Sequence, residues 1–207
     1  LLSAFSEKSS EEVRDYLQKK GVEVKVNSKV VDYENDLLTL GDGTVLPSAN
    51  IYWVAGVKAN SLEGLPADAY GPGNRLKVDT FNKVSGNDHI FAIGDTALMI
   101  SEDYPRGHPQ VVQPAIQQAR LLVRNLNNIE KGLPLKPFVY HNKGSMATVG
   151  RNNAIVELKN IRFGGFLAWA VWLFIHLMSI VGVKNKLFIF TDWMWNYFTY
   201  DPSLRLI

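Results

Sequence analysis

The chain has 207 residues, of which 46% are hydrophobic, and this length accommodates one large domain or two small ones. A formal net charge of +2 gives no electrostatic basis for nucleic-acid binding. The lack of cysteine excludes disulfides, thiolate-bound zinc and a redox dithiol within this sequence, so any electron transfer requires a bound organic cofactor.

Charge is unevenly distributed along the chain. From Arg151 to the C-terminus, six lysines and arginines stand against three acidic residues, which gives +3 for this tail and −1 for the part before it. A weakly basic, apolar tail on a nearly neutral body predicts contact with a membrane surface. The N-terminal residues lack the pattern of a secretory signal, and the sequence is expected to begin within a longer protein.

The N-terminal quarter predicts one helix followed by short strands. Ser9 and Glu12 have the spacing of a capping box that opens a helix, and Gly21 ends that helix. Apolar residues in alternating or continuous runs then predict strands, at residues 22–26, 30–31, 38–40, 45–46 and 51–55.

The middle of the chain combines loops, short strands and a long helix. Residues 57–88 are rich in glycine, proline and asparagine, which predicts loops with one strand near 76–78. Residues 90–93 predict a buried strand that ends in a Gly-Asp pair. Apolar residues at helical spacing predict a helix over 110–129. Further strands are predicted at residues 138–140, 146–149 and 154–158.

The tail differs in kind from the rest of the sequence. Residues 163–183 contain no formally charged residue and are long enough to span a bilayer. Residues 187–200 are rich in aromatics but include Asp192, and are too short and polar to return across it. Two interfacial helices are therefore favoured over a span or a soluble core helix, because flat placement brings the flanking cations to the same lipid headgroups: Arg162, Lys184 and Lys186.

Gly94 and Asp95 form the first candidate site. A carboxylate at the carboxyl end of a buried strand lies where open α/β sheets bind ligands. The glycine permits close approach of a cofactor to the backbone, and the aspartate can accept hydrogen bonds from ligand hydroxyls. An ordinary turn after a strand is the alternative interpretation.

The second candidate site is a polar face at the start of the long helix. Gln113 and Gln117 are four residues apart and offer neutral donors and acceptors to a carbonyl ligand. The first backbone amides of the helix can meet an electron-rich ring edge, provided that Pro114 lies in the first turn. Glutamines that face solvent are the alternative.

Four motifs and the aromatic tail, in this order, resemble type II NADH:quinone oxidoreductases, also called alternative NADH dehydrogenases. The motifs are IYWVAGV at 51–57, IFAIGD at 90–95, VQPAIQQ at 112–118 and FVYHNKGSMATVGR at 138–151; the Trp-rich tail follows around 172–195. The glutamine motif and the Gly-Ser-Met-Ala segment are the most specific of these. Val112 and Ala119 depart from the usual Ala and Gly, which are small changes.

The resemblance implies a fold and a set of site residues. The fold is α/β: the C-terminal part of a Rossmann-like flavoprotein with two dinucleotide-binding domains, followed by amphipathic membrane-binding helices. For FAD, it implies that Gly94 and Asp95 hold the ribityl and phosphate part. The isoalloxazine ring would lie against the helix start, formed by Ala115, Ile116 and Gln117. The implied quinone-binding residues are Gln113, Gln117, Gln118 and His176. His176 taken alone is more simply a core or interface residue.

The resemblance also implies the activity of the intact enzyme. It would transfer electrons from NADH through FAD to a membrane quinone without pumping protons, with no catalytic side chain and no metal. The implied location is the cytoplasmic face of the cell inner membrane, with a peripheral attachment to the lipid surface. Nucleic acid is not an expected partner, and a homodimer stays open.

The same resemblance divides the chain into three parts. Residues 1–56 are expected to end the NADH-binding domain, 57–130 to form the return segment of the FAD-binding domain, and 131–207 to bind the membrane. The family's two Gly-x-Gly-x-x-Gly loops are absent from this sequence, so the chain is expected to be a fragment that is inactive alone.

Two other classes compete with this interpretation. Related flavin enzymes, such as disulfide reductases and sulfide:quinone oxidoreductases, use catalytic cysteines, and this sequence has none. A non-catalytic, membrane-anchored α+β module would share the apolar tail but would bind no flavin.

Overall fold

The computed structural model describes residues 1–2 and 4–200. The chain forms two compact units, one of Leu1–Pro47 with Lys143–Ile207 and one of Ser48–Asn142. The helices and longer strands are, in chain order, α1 (Glu7–Lys19), β1 (Val30–Glu34), β2 (Leu37–Leu40), β3 (Val45–Pro47), β4 (Leu76–Val78), β5 (Ala97–Met99), α2 (Val112–Glu130), β6 (Ser145–Thr148), β7 (Ala154–Glu157), β8 (Arg162–Gly164), α3 (Gly165–Ser179) and α4 (Val183–Thr199). The three-part domain assignment made from the sequence stays a prediction.

Helix α1 begins earlier than its capping box predicts. Ser6 is the N-cap, and its side chain accepts a hydrogen bond from the Ser9 amide at 3.4 Å. Ser9 is fully buried one turn into the helix, so the predicted start at Ser9 is wrong. Val13, on the apolar face of α1, packs with Val149 and Ile155.

Strands β1, β2 and β3 form an antiparallel sheet, as predicted for three of the N-terminal apolar runs. Leu38 lies opposite Tyr33 on one side and Leu46 on the other. The strand predicted at 22–26 is wrong, because in the described part of the chain this segment belongs to no sheet, and the Val22 amide donates instead to Leu17 O of α1 at 3.0 Å. Alternating valines provide a side-chain pattern, but a strand also needs a hydrogen-bonded neighbour.

The C-terminal part of the first unit is a three-stranded antiparallel sheet covered by a helix. Strands β6, β7 and β8 pair in sequence order, and β8 is an element that the sequence pattern did not predict. Ala168 of α3 is fully buried against Ala154 and Val156 of β7. Small side chains on both surfaces let the helix backbone approach the sheet closely.

The uncharged segment 163–183 is broken in the structure. Its first residues belong to β8, α3 ends at Ser179, and α4 begins at Val183 after a turn at Gly182 with φ +87°. Within the described residues, no helix is both long enough and apolar enough to cross a membrane.

The second unit contains a short parallel sheet of β4 and β5 together with helix α2. Strand β4 and helix α2 are confirmed as predicted, and Pro114 lies in the first turn of α2 as the sequence required. Eight buried residues pack together in the core of this unit: Ala69, Leu76, Val78, Val84, Ala92, Ala97, Met99 and Phe138.

Three predicted strands of the second unit are wrong. Residues 51–55 form no regular structure, and Tyr52 and Val54 are 87% and 92% exposed. Residues 90–93 belong to no strand in the described part of the chain, where Phe91 forms an isolated bridge with Lys83. The strand β5 follows the Gly-Asp pair instead of preceding it. Residues 138–140 are also irregular, although Phe138 is buried and its amide donates to Thr80 O at 2.7 Å. In these three segments an apolar run gave no paired strand, and it gave burial only in part, at Ala92 and Phe138.

Candidate functional site

Gly94 stands at a turn that only glycine accommodates. Its φ is +65°, in the left-handed region, and it opens a single 3-10 turn over Gly94–Thr96 before β5. A Cβ atom at this position would lie 3.1 Å from the Cβ of Ala115. The backbone of the turn therefore rests directly against the first part of α2.

Gln118 holds this turn from the helix side. Its side chain is 2% exposed, and its Oε1 accepts a hydrogen bond from the Gly94 amide at 2.7 Å. The Asp95 side chain is exposed, and its backbone oxygen accepts a hydrogen bond from Gln110 Nε2 at 3.2 Å. The structure thus brings Gly94, Asp95, Ala115 and Gln118 together, as a site at this position requires.

The N-terminus of α2 lacks a side-chain cap. Val111 occupies the N-cap position and provides no hydrogen-bond acceptor to the first turn. The first-turn amides, at the positive end of a 19-residue helix, can therefore face an electron-rich group. An exposed carboxylate, a glycine turn and an uncapped helix start together offer acceptors and donors of hydrogen bonds to a ligand.

The other two glutamines of this face differ in their hydrogen bonds. The Gln117 amide pairs with the backbone of His141 through two hydrogen bonds of 3.0 Å, one donated by Nε2 and one accepted by Oε1. Gln113 is half-buried, and its side chain has no hydrogen-bond partner among the described residues. Gln113 is therefore the glutamine whose amide is free for a ligand.

Arg75 is a buried cation that the sequence analysis missed. It is 8% exposed and donates from Nε to Ala97 O at 3.0 Å and from Nη2 to His108 O at 3.0 Å. Burial lowers the pKa of the Arg75 guanidinium, and the charge of Asp95 acts in the opposite direction. Arg75 thus ties β5 to the loop that leads into α2. The apolar residues that follow Arg75 in β4 were the only sequence signal for its burial.

His108 lies in the same loop inside an aromatic cluster. It is 5% exposed, and its ring centroid lies 4.7 Å from Tyr104, 5.4 Å from Phe138 and 5.6 Å from Tyr140. Burial, with a smaller contribution from the charge of Arg75, lowers the pKa of His108 and so favours the neutral imidazole. The scattered histidines of the sequence gave no indication of this cluster.

His176 lies in the other unit, on α3. Its ring stacks on Trp172 with centroids 3.9 Å apart, and its Nδ1 is 2.7 Å from Trp172 O. This hydrogen bond makes Nδ1 the protonated nitrogen, because a carbonyl oxygen can only accept.

Helices α3 and α4 enclose an apolar groove. Its volume is about 810 Å³, and aromatic side chains from both helices form most of its wall. The tryptophans of this wall are Trp169, Trp172 and Trp193. Large apolar side chains that do not line the groove are also exposed on both helices, among them Leu167, Phe188 and Trp195.

Comparisons with known proteins show which family this chain belongs to. Residues 1–119 match the pyridine nucleotide-disulphide oxidoreductase family, and residues 142–199 match the NDH2 C-terminal domain. The type II NADH:quinone oxidoreductase NdhA of Mycobacterium tuberculosis is 34% identical over 190 residues, covering 86% of this chain. The chain belongs to the type II NADH:quinone oxidoreductase family. This confirms the resemblance found in the sequence.

Further relatives support the assignment to type II NADH:quinone oxidoreductases. The mitochondrial internal alternative NAD(P)H-ubiquinone oxidoreductase A1 of Arabidopsis thaliana is 29% identical over 211 residues, covering 94% of this chain. The NDH2 of Plasmodium falciparum, solved in complex with NADH, matches 99% of this chain with a TM-score of 0.83 at 17% identity, and 57% of its own chain is covered. This likeness confirms the predicted α/β fold. The chain spans 39% of the length of NdhA and 41% of the plant enzyme.

A network of hydrogen bonds and one ion pair connects helix α1, within the matched region 1–119, to strands β7 and β8, within the matched region 142–199. Glu157 of β7 accepts hydrogen bonds from the Ser6 amide at 2.9 Å and from the hydroxyls of Ser6 and Ser9. Arg162 donates from Nε to Ser9 Oγ at 2.9 Å and forms an ion pair with Glu12. A carboxylate at the start of α1 is also favourable for the helix dipole.

This network predicts a pH dependence of stability. Burial acts to raise the pKa of Glu157, but the hydrogen bonds from Ser6 and Ser9 and the Arg162 charge bring it below its ordinary value of 4.5. A lowered pKa in the folded state means that the stabilisation is present above pH 4.5 and is lost as the pH falls through the folded-state value. Glu157→Gln should therefore flatten the acid limb of the stability profile and cost about 1.5–3 kcal/mol at neutral pH.

Denaturant unfolding of the full-length protein at a series of pH values measures this effect. Glu11→Gln, at an exposed position on α1, is the matched control and should leave the acid limb as steep as in the wild type. An unchanged acid limb in Glu157→Gln would show that other carboxyl groups control acid stability.

Proposed function

We propose that the full-length protein that contains this chain oxidises NADH and reduces a membrane quinone, with FAD as its cofactor. The observation that carries this proposal is the packing of the Gly94 turn against α2, which puts a flavin-type turn and a free glutamine amide on the same structural unit. The family membership supports the reaction class. FAD, when bound, supplies the redox chemistry, since it accepts a hydride and passes electrons on singly or in pairs.

The residues that would hold FAD act through hydrogen bonds and close approach. The Asp95 carboxylate accepts from hydroxyls of the ribityl chain, and the Gly94 backbone allows the phosphate part to come close. Ala115, Ile116 and Gln117 present the helix start to the ring. Gln118 was predicted to bind quinone, but its buried Oε1 is already engaged by the Gly94 amide, so we assign it to holding the turn.

The quinone-binding role is best supported for Gln113. Its amide can donate to a quinone carbonyl, whereas the Gln117 amide is paired with the His141 backbone. Gln117 then contributes by fixing residues 138–142 beside the helix. His176 contributes to the stacking within α3, and a quinone contact for it rests on the resemblance alone.

Helices α3 and α4 are proposed to attach the enzyme to one leaflet of the bilayer. The exposed aromatic side chains of both helices favour the interfacial region, and Lys184 and Lys186 at the start of α4 favour anionic headgroups. The proposed location is the cytoplasmic face of the cell inner membrane, with the quinone arriving from the lipid. A homodimer is compatible with this arrangement.

The quinone role predicts that Gln113→Leu separates the two half-reactions. In the full-length enzyme, reduction of flavin by NADH should stay close to the wild-type rate. Reoxidation by quinone should slow by about tenfold, the effect of one lost hydrogen bond to a buried carbonyl. Stopped-flow measurement of flavin absorbance records both steps separately.

Asn127→Leu is the control for this substitution. Asn127 is an exposed amide near the other end of α2, so its loss should change neither half-reaction. Equal slowing of both half-reactions by Gln113→Leu would instead assign Gln113 to the flavin or to the fold.

A further inference from the structure

The groove between α3 and α4 has an apolar wall with two polar interruptions. Its lining is formed mainly by aromatic and aliphatic side chains, and the polar side chains that reach it are Arg151 and Asn196. Its volume of about 810 Å³ lies within the range of about 300–1,000 Å³ that is usual for ligand sites. Such a lining fits a molecule with one long apolar part and a small polar part.

Arg151 is fixed at the groove by the C-terminal end of α4. Its Nη2 donates to Asn196 O at 3.2 Å and to Tyr197 O. Its guanidinium carbon lies 3.9 Å from the ring centroid of Tyr200 and 4.9 Å from that of Tyr197. These contacts occupy Nη2 and put two aromatic rings beside the group, while Nε and Nη1 have no hydrogen-bond partner within the described residues. Because Cδ lies between Nε and Nη1, these two donors point to different sides, and each can give a single charge-assisted hydrogen bond to a phosphate or carboxylate oxygen.

Asn196, which also lines the groove, carries an unused acceptor. Its Nδ2 donates to Asp192 Oδ2 at 3.2 Å, so the orientation of the amide is set. Its Oδ1 is buried and has no hydrogen-bond partner in the part of the chain that the structure describes. A buried acceptor without a donor costs about 1–3 kcal/mol, which a ligand with a hydroxyl group would recover.

We propose that this groove is a specific site for an anionic phospholipid, with one acyl chain along the aromatic wall. The phosphate accepts a charge-assisted hydrogen bond from one of the unpaired Arg151 donors, and a headgroup hydroxyl donates to Asn196 Oδ1. The isoprenoid tail of a quinone would also fit the apolar wall, but it would provide neither an anion for Arg151 nor a hydrogen-bond donor for Asn196. The proposal rests on the proposed attachment of α3 and α4 to the bilayer and adds selectivity for a headgroup to it.

Fluorescence quenching by brominated acyl chains tests the site. Trp169, Trp172 and Trp193 line the groove and report on a chain that enters it. The full-length protein is mixed with phosphatidylcholine vesicles in which a minor fraction is either brominated phosphatidylglycerol or brominated phosphatidylcholine. We expect phosphatidylglycerol to quench at a surface fraction about tenfold lower, as one charge-assisted hydrogen bond implies.

Three variants connect this preference to the groove. Arg151→Gln should abolish the preference, and Lys159→Gln, which removes an equal charge at an exposed position outside the groove, should keep it. Asn196→Leu should lower it about threefold by removing the acceptor. Asn196→Leu leaves the bond from Arg151 to the Asn196 backbone possible, so it tests the site even if Arg151→Gln disorders the end of α4.

The other outcomes separate this site from the attachment itself. Equal quenching by both lipids, or a preference that survives both groove substitutions, would overturn the lipid site and leave the attachment standing. Relief of quenching by a long-chain quinone would assign the groove to the quinone tail and overturn the proposal as well. A protein that neither lipid quenches would contradict the attachment and the lipid site together.

Discussion

Gly94→Val in the full-length protein is expected to abolish flavin binding. Valine at φ +65° is strained, because a β-branched side chain clashes with its own backbone in the left-handed region. Its Cβ would also meet the Cβ of Ala115 at 3.1 Å, and that atom belongs to a helix that cannot move freely. Displacement of the turn would break the hydrogen bond to Gln118 and carry Asp95 away from the helix start.

The ratio of flavin to protein after purification measures this effect. Gly86→Val is the matched control, since Gly86 has φ +76° but an added Cβ meets nothing within 4 Å. The control carries the same backbone strain and should keep its flavin. A Gly94→Val protein with one flavin per chain would contradict the assignment of this turn to the cofactor.

Arg75→Met is expected to destabilise the second unit strongly. Arg75 donates to two backbone carbonyls, Ala97 O and His108 O, from a position that is nearly sealed from water. Hydrogen bonds to a charged group contribute about 1.5–3 kcal/mol each, and the carbonyls left behind are partly desolvated. A loss of about 3 kcal/mol or more is therefore expected, although methionine fills much of the volume.

Denaturant unfolding followed by circular dichroism measures this loss. Arg120→Met, at an exposed position on α2, changes the same side chain without a buried contact and should alter the unfolding free energy by less than about 0.5 kcal/mol. A similarly small change in Arg75→Met would mean that water replaces the guanidinium at both carbonyls.

Arg75, Gln118 and Gln117 have a common structural role. Each uses side-chain donors or acceptors to hold backbone groups of a loop, at Ala97 and His108, at Gly94, and at His141. Loops near a binding site lack the regular hydrogen bonds of helices and strands, so buried side chains must satisfy their backbone groups. Gln117 and Gln118, which belong to the ligand-binding set implied by the resemblance, therefore also hold loops in place, and Gln113 is the glutamine that we propose for the ligand.

Local patterns of the sequence predicted the long helix, the parallel strand β4 and the antiparallel strands of the N-terminal sheet. Each of these depends on nearest neighbours: apolar spacing defines α2, and the turn at Gly41–Gly43 brings β2 and β3 together. The strands predicted at 51–55 and 90–93 failed because strand formation depends on a partner elsewhere in the chain. Both apolar runs predicted buried side chains. Ala92 is buried, whereas Tyr52 is 87% exposed.

The sequence by itself determined the family, the identity of the Gly94-Asp95 and glutamine motifs, and the apolar character of the tail. These properties depend on residue type and spacing, so they can be recognised without knowing which residues are in contact across the fold. Only the tertiary structure decided which glutamine is free, that Arg75 and His108 are buried, and that the tail is two helices around a groove with Arg151 at its wall. Those outcomes depend on which groups meet across the fold, because a hydrogen bond or a desolvated charge is defined by its partner and not by its neighbours in sequence.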